Sequence, residues 1–538
     1  MRIRLTTLQR ALLALLSIVL LSAAWLRVSG LTLLVAFVPL LLISASYGPS
    51  RKEWWRMAGW TALVMGVWCV ATCWWIYYAA AVGIVAATIA QVLLFGGVFM
   101  IYHSFSQRAR RPHAYTTLIA GWLWAEHLYL HGEISFPWLV LGNGFAMDTW
   151  AVQWYEFTGA LGGSLWVLIV NVLLFEWLLS RKSRTLAVAS VAAIVLPLAA
   201  SLIVGASVEE NGSLPKAKVT LIQPNFEPYT EKYTIPAEEQ LAIMTSLAAE
   251  APADVDFIVL PETVIGDNND PIWEHNYLSA RSVAAFEQMR SALYPEAQLI
   301  TGAMTYRRYA GEQDASPTAR RSGSLWYDRY NAALALDRDS TLKVSHKSRL
   351  VVGVEKMPYM NLLKPLEKLI VDLGGTTGQL GTDKYRRSFH LRSSRYPYGV
   401  TVAAPICYES VYGDHFAGFT ADGAELMMVI TNDGWWYDTP GYRQHFSFSR
   451  LRAIETRRWV CRAANTGISG FITPKGDVID TLGWDRRGTL TAEVTPSKEV
   501  TFYAKAGDYL GRLGTYLFIL SLLYYVSYRF RKRSHLVD

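Results

Sequence analysis

The sequence predicts a membrane protein, with eight transmembrane helices and an α/β domain on the extracytoplasmic side. Apolar runs long enough to cross a bilayer recur before residue 210 and once near the end. Basic residues crowd alternate ends of these runs. Between about 216 and 505 the pattern changes to short apolar runs separated by amphipathic stretches. Composition agrees: the 538 residues are 52% hydrophobic and include 20 tryptophans, too apolar for an ordinary soluble enzyme.

A helix needs about 20 apolar residues to span the hydrocarbon core. Candidate spans cover 8–26, 29–48, 57–79, 82–103, 114–130, 164–180 and 185–206, with an eighth at 509–528. The first run lacks a small-residue cleavage site and is followed closely by another span, so it reads as a retained helix rather than a signal peptide. One set of flanks carries Arg2, Arg4 and Arg10, then Arg51, Lys52 and Arg56, then Arg108, Arg110 and Arg111, then Arg181, Lys182 and Arg184, and finally Arg529, Arg531, Lys532 and Arg533. The opposite short loops contribute Arg27, and 132–163 has neither Lys nor Arg. The excess of basic residues marks the cytoplasmic side. Both termini are therefore expected in the cytoplasm, and the segment between spans seven and eight outside.

Glu126, His127 and Glu176 fall within the apolar runs. Ionisable groups there are functional candidates by default, though a hydrated position near an interface serves equally. Cys69 and Cys73, one helical turn apart, read as packing residues. The formal net charge of +7 sits beside apolar runs and in no nucleic-acid motif, so no nucleic-acid partner is expected. The four cysteines are too scattered for a disulfide framework or a zinc site, and the histidines form no recognised ligand pattern, so neither metal nor cofactor is expected.

Three domains follow: 1–210, the first seven helices; 216–505, the α/β part; and 509–528, the last helix. Within the middle domain strands are expected at 219–223, 256–262, 298–304, 330–337, 399–409 and 425–433, and as a pair within 460–476. Helices are expected at 237–250, 280–293 and 443–457, which implies layered sheets with helices outside. Segment 310–323 reads as an exposed loop.

Three features end or follow the apolar strands: Glu262 in LPET, Lys347 in SHKSRL and Cys407 in PICYE. A thiolate is a strong nucleophile that needs a base or nearby positive charge to form at neutral pH. A carboxylate can take the thiol proton and later return it. An ammonium can stabilise the oxyanion of a tetrahedral intermediate. Taken singly, a cysteine at a strand end is usually a small buried hydrophobe, and a lone Lys or Glu is solvated surface. A Cys407–Cys461 disulfide is the structural rival, because a free thiol outside the cytoplasm is exposed to oxidation.

In these contexts the sequence resembles the carbon-nitrogen hydrolase (nitrilase) superfamily. The plan of seven helices, a nitrilase-like domain and a last helix resembles the apolipoprotein N-acyltransferases over nearly the full length. FPWLVLGNG (136–144), QWYEFTGALGGSLW (153–166), LIQPN (221–225), TNDGWW (431–436) and the long stretch 444–476 also carry the resemblance. It implies an αββα sandwich, with Glu262 as general base, Lys347 as oxyanion stabiliser and Cys407 as nucleophile. Glu355, Tyr408 and Glu409 match supporting positions. The sequence departs from the family pattern at Val352, in LVVGVE (350–355), and at Tyr233.

The resemblance further implies a ping-pong N-acyltransferase of the bacterial inner membrane with a periplasmic catalytic domain. A phospholipid, expected to be phosphatidylethanolamine, acylates Cys407; the α-amino group of a diacylglyceryl apolipoprotein then takes the acyl chain. Segment 353–383, with its glycine-rich 374–381 run, is the expected mobile lid. Two rivals differ in class: a membrane-tethered amidase for a soluble amide, and a transporter or inactive scaffold.

Overall fold

The computed structural model describes residues 3–108, 110–180, 183–208, 215–266, 269–359 and 379–534. Most of the expected lid, 360–378, lies outside the described residues, as do Arg2, Arg181, Lys182 and the side chains of Tyr233, Arg529, Arg531, Lys532 and Arg533. The chain divides into two compact units. One comprises Met1–Tyr77, Ala81–Ala206 and Ala506–Asp538; the other comprises Tyr78–Ala80 and Ser207–Lys505.

Among the described residues of the first unit, six helices are long and apolar enough to cross a membrane: Thr7–Trp25, Arg51–Cys73, Ala81–Ser106, Ala160–Leu179, Arg184–Ser207 and Tyr509–Tyr528. The run at 29–48 forms a shorter apolar helix, Gly30–Ala45, interrupted at Phe37 next to Pro39. There Asn171 accepts from the freed Phe37 and Val38 N–H groups, at 2.8 and 3.1 Å, replacing bonds that the break removes. The run at 114–130 is the helix Arg111–His131, which is not among those six. Glu176 pairs with Arg111 at 3.1 Å, and Glu126 accepts from the Leu141 N–H at 2.8 Å, so both carboxylates have local partners.

The second unit stacks two sheets. The first contains β1 (Ala217–Gln223), β2 (Phe257–Val259), β3 (Ile272–Trp273), β4 (Gln298–Tyr309), β5 (Arg320–Ser322), β6 (Leu325–Leu336) and β7 (Leu342–His346). The second contains β8 (Phe389–Leu391), β9 (Val400–Ala403), β10 (Leu426–Thr431), β11 (Val460–Ala464), β12 (Ser469–Ile472) and β13 (Val478–Leu482). The last strand, β14 (Gly488–Val494), returns to pair antiparallel with β1 in the first sheet. The orders are β14-β1-β2-β4-β6-β5, with β3 on β4 and β7 on β6, and β13-β12-β11-β10-β9-β8.

The apolar run of β10 lies between parallel neighbours β9 and β11 and is buried throughout, as a strand covered on both faces must be. Helices Ala237–Ala248 and Arg281–Leu293 bury Met244, Leu247, Val283 and Phe286 against the first sheet. Helices Gly413–Ala421 and Pro440–Thr456 bury Phe416, Phe419 and Phe446 against the second. Each such side chain contributes roughly 1.5–3 kcal/mol. Between the sheets, Ser469 donates to Gln223 from backbone and hydroxyl, at 3.2 and 2.6 Å. The loop reading of 310–323 needs correction at its end, because Arg320–Ser322 pairs with β6.

Candidate active site

Glu262, Lys347 and Cys407 arrive from three strand ends. β2 runs into the LPET segment, which lies so close over β4 that a Cβ at Gly302 would stand 2.4 Å from the Glu262 Cα. Only glycine permits that approach, and backbone bonds from Gly302 to Pro261 and from Val264 to Gly302 fix it. Lys347 follows β7, with its N–H held by the Asn331 carbonyl of β6 at 2.7 Å. Cys407 follows β9 through Ile406, which bridges to Ile430 of β10. The chain then turns sharply, and Cys407 itself has φ +49°. A side-chain-bearing residue in that left-handed region costs on the order of 1–3 kcal/mol, a strain found mostly at functional turns.

At the centre the Lys347 ammonium, 1% exposed, lies 3.0 Å from Glu262 Oε1 and 2.9 Å from Glu355 Oε1. The Asn331 amide donates to the same two carboxylates, at 2.7 and 3.3 Å. The Asn432 N–H donates to Glu262 Oε2 at 3.0 Å, and the Val351 N–H to Glu355 Oε2 at 2.8 Å. Burial works against the ammonium, but the two carboxylates hold its pKa well above the usual lysine range. Burial, and next the charge on Glu262, push the Cys407 thiol far up, with Lys347 pulling the other way. The Cys407 sulfur thus feels a carboxylate and an ammonium that act on it in opposite directions.

Glu409 braces the turn. It accepts from the Ile406 N–H at 2.8 Å, from the Ser348 N–H and hydroxyl at 2.8 and 2.9 Å, and lies 3.2 Å from His415 Nε2. Burial opposes its charge, but His415 and the backbone donors hold its pKa down at about 2. The residue before the thiol and the residue after the lysine are therefore tied to one carboxylate. Tyr408 is buried and packs edge-on against Tyr412, with ring centroids 5.4 Å apart. Val352 lies in the turn that carries Glu355 and bridges to Lys356.

A second network lies behind the sulfur. Cys407 Sγ, an Asp433 oxygen and a His445 nitrogen lie within 4.8 Å of one another. Asp433 Oδ2 already holds the Arg462 guanidinium at 2.7 Å, and His445 Nδ1 lies 2.8 Å from Asp433 Oδ1. His445 Nε2 reaches the Cys407 carbonyl at 3.2 Å and Ser410 Oγ at 3.1 Å. With a cation already in place and both ring nitrogens in contact, this network positions the turn rather than binding a metal.

Residues 218–502, more than half of the 538, match the carbon-nitrogen hydrolase family. The chain belongs to the carbon-nitrogen hydrolase family. Residues 11–173 match the apolipoprotein N-acyltransferase N-terminal domain. A curated relative from Chlorobaculum tepidum, named apolipoprotein N-acyltransferase, is 29% identical over 88% of this chain and 88% of its own length. Another of that name, from Thermotoga maritima, is 25% identical over 74% of this chain and 68% of its own. A solved nitrilase-superfamily structure from Saccharomyces cerevisiae has 14% identity and a TM-score of 0.36, covering 54% of this chain and 93% of its own.

In this carbon-nitrogen hydrolase, then, Glu262, Lys347 and Glu355 meet directly, and Cys407 lies within reach of the charges on Glu262 and Lys347. Cys407 and Cys461 are both free thiols, which removes the disulfide alternative; Cys461 is buried in β11 opposite Met428. Asn331, Gly302, Asp433, His445 and Arg462 were not singled out by sequence reasoning. TNDGWW and the 444–476 stretch contain three of them, but nothing local distinguishes those from core residues. Asn331 and Gly302 gave no signal, because their roles depend on a carboxylate far away in the chain.

Proposed function

We propose that this protein transfers a fatty acyl group from a phospholipid, through a thioester on Cys407, to the α-amino group of the N-terminal diacylglyceryl cysteine of apolipoproteins. The observation that carries this reading is one buried ammonium shared by two carboxylates, with the Cys407 thiol under the influence of Glu262 and Lys347, in a chain whose described residues include six long apolar helices. The relatives' shared name and the match over 11–173 support the lipoprotein acceptor.

Glu262 takes the thiol proton as sulfur attacks the ester carbonyl, and Lys347 stabilises both the thiolate and the oxyanion. Return of that proton to the alkoxide oxygen releases a lysophospholipid, with phosphatidylethanolamine the expected donor. The acceptor amine then attacks the thioester, loses a proton to Glu262 and becomes an amide, while the sulfur regains its proton. Glu355 and Glu409 position the lysine and the turn. Water must be kept from the thioester, or the enzyme becomes a phospholipase.

The orientation follows from the basic flanks: eight spans, both termini cytoplasmic, and the α/β domain periplasmic at the bacterial inner membrane. Incubation with acyl-labelled phospholipid tests the reading. Label is expected on the protein, released by hydroxylamine and absent from Cys407→Ala, with transfer to a diacylated lipopeptide seen by mass spectrometry. Turnover of soluble amides without any lipid-derived thioester would point to a tethered amidase instead.

A further inference from the structure

We propose that His127, His131 and Asp508 form a binding site for a divalent transition-metal ion of the zinc class, clamping the helix Arg111–His131 to the start of the C-terminal helix. Sequence reading placed the histidines in no ligand pattern, because the carboxylate comes from 377 residues further along the chain. The structure brings one donor atom from each residue within 4.8 Å of the others, all inside the helical unit.

Four further features favour a cation. The histidines are spaced i, i+4 on one helix, a spacing that presents two imidazoles on the same face. His131 Nδ1 lies 3.0 Å from the His127 carbonyl. A proton on that nitrogen donates to the carbonyl and leaves the Nε2 lone pair facing Asp508 Oδ2, 3.8 Å away. Such a backbone bond fixes the tautomer of metal-binding histidines. His131 also sits in the last turn of its helix, where the terminal carbonyls add negative potential. Finally, a Cβ at Gly511 would lie 2.7 Å from the His127 ring, so the C-terminal helix is bare just where that imidazole stands.

Zinc binds imidazole nitrogen and carboxylate oxygen at about 2.0–2.2 Å, which places tetrahedral ligand atoms roughly 3.4 Å apart. Side-chain torsions can close the observed spacing around an ion. Two histidines and one carboxylate leave a fourth position for water. The set is nitrogen and oxygen without thiolate, which suits zinc or cobalt(II) over copper(I).

The test is a cobalt(II) titration of the purified, chelator-treated full-length protein carrying Cys407→Ala, so that no thiolate band from the other unit enters the spectrum. One equivalent is expected to bind with visible ligand-field absorption. His131→Ala and His127→Ala are each expected to weaken it by at least about 100-fold, and Asp508→Asn by about 10-fold. Gly511→Leu, which crowds His127 without removing a ligand, is expected to weaken it as well. Zinc is expected to raise the melting temperature of the parent but not of the double histidine variant. Equal cobalt affinity in parent and double variant, or a melting temperature indifferent to zinc, overturns the proposal.

Discussion

Two buried glutamates beside the same turn are treated in opposite ways. Glu409 has every nearby donor turned toward it: two backbone N–H groups, a serine hydroxyl and His415. Glu262 accepts from the Asn331 amide and the Asn432 N–H, and it shares the Lys347 ammonium with Glu355, so that pocket holds two carboxyl groups for one lysine. Glu409 is held by fixed donors and a histidine and ties two segments of backbone together, whereas Glu262 shares a lysine with a second carboxyl group beside the turn that carries Cys407.

The sharpest way to break the contrast is to remove the thiol beside the shared pocket. Cys407→Ala is expected to lower acyl transfer by on the order of 10⁴-fold or more while leaving the fold intact, read by single-turnover kinetics and circular dichroism. Glu262→Gln preserves shape and removes the acceptor. A loss of about 10²–10⁴-fold in thioester formation is expected; wild-type rates would mean that another group takes the proton. Lys347→Met is expected to lose about 10²–10³-fold. It also leaves two buried carboxylates unbalanced, at a stability cost of about 3–5 kcal/mol seen in denaturant titration.

Glu409→Gln is the mildest on chemistry and the clearest on pH. The folded pKa lies below the usual 4.5, at about 2, so its stabilisation is complete above 4.5 and is lost as pH falls from 4.5 toward 2. That component is worth about 3 kcal/mol. Parent and variant stabilities, measured against pH, are expected to converge across that window. Parallel curves would show that Glu409 is not held ionised.

Apolar length was legible wherever packing is decided by a helix's own residues, as in Thr7–Trp25 or Arg184–Ser207. It was less so at 29–48, where a break near Pro39 is tolerated because Asn171 supplies the missing acceptor from another helix. The buried strands β4, β6 and β10 were visible as apolar runs. Partly exposed β13 and the short β3 and β5 were not, since their pairing rests on partners rather than on their own pattern.

By itself the sequence determined which groups are candidates to bear chemistry, because a carboxylate, an ammonium and a thiol after apolar strands can be read from residue type and local context. Tertiary structure alone decided how many charges share one pocket. It also decided that the sulfur sits on a strained turn, that Gly302 must lack a side chain, and that Asp508 meets His127 and His131. Each of these depends on distances between residues far apart in the chain, and electrostatic and steric terms at a few ångströms have no counterpart in local sequence.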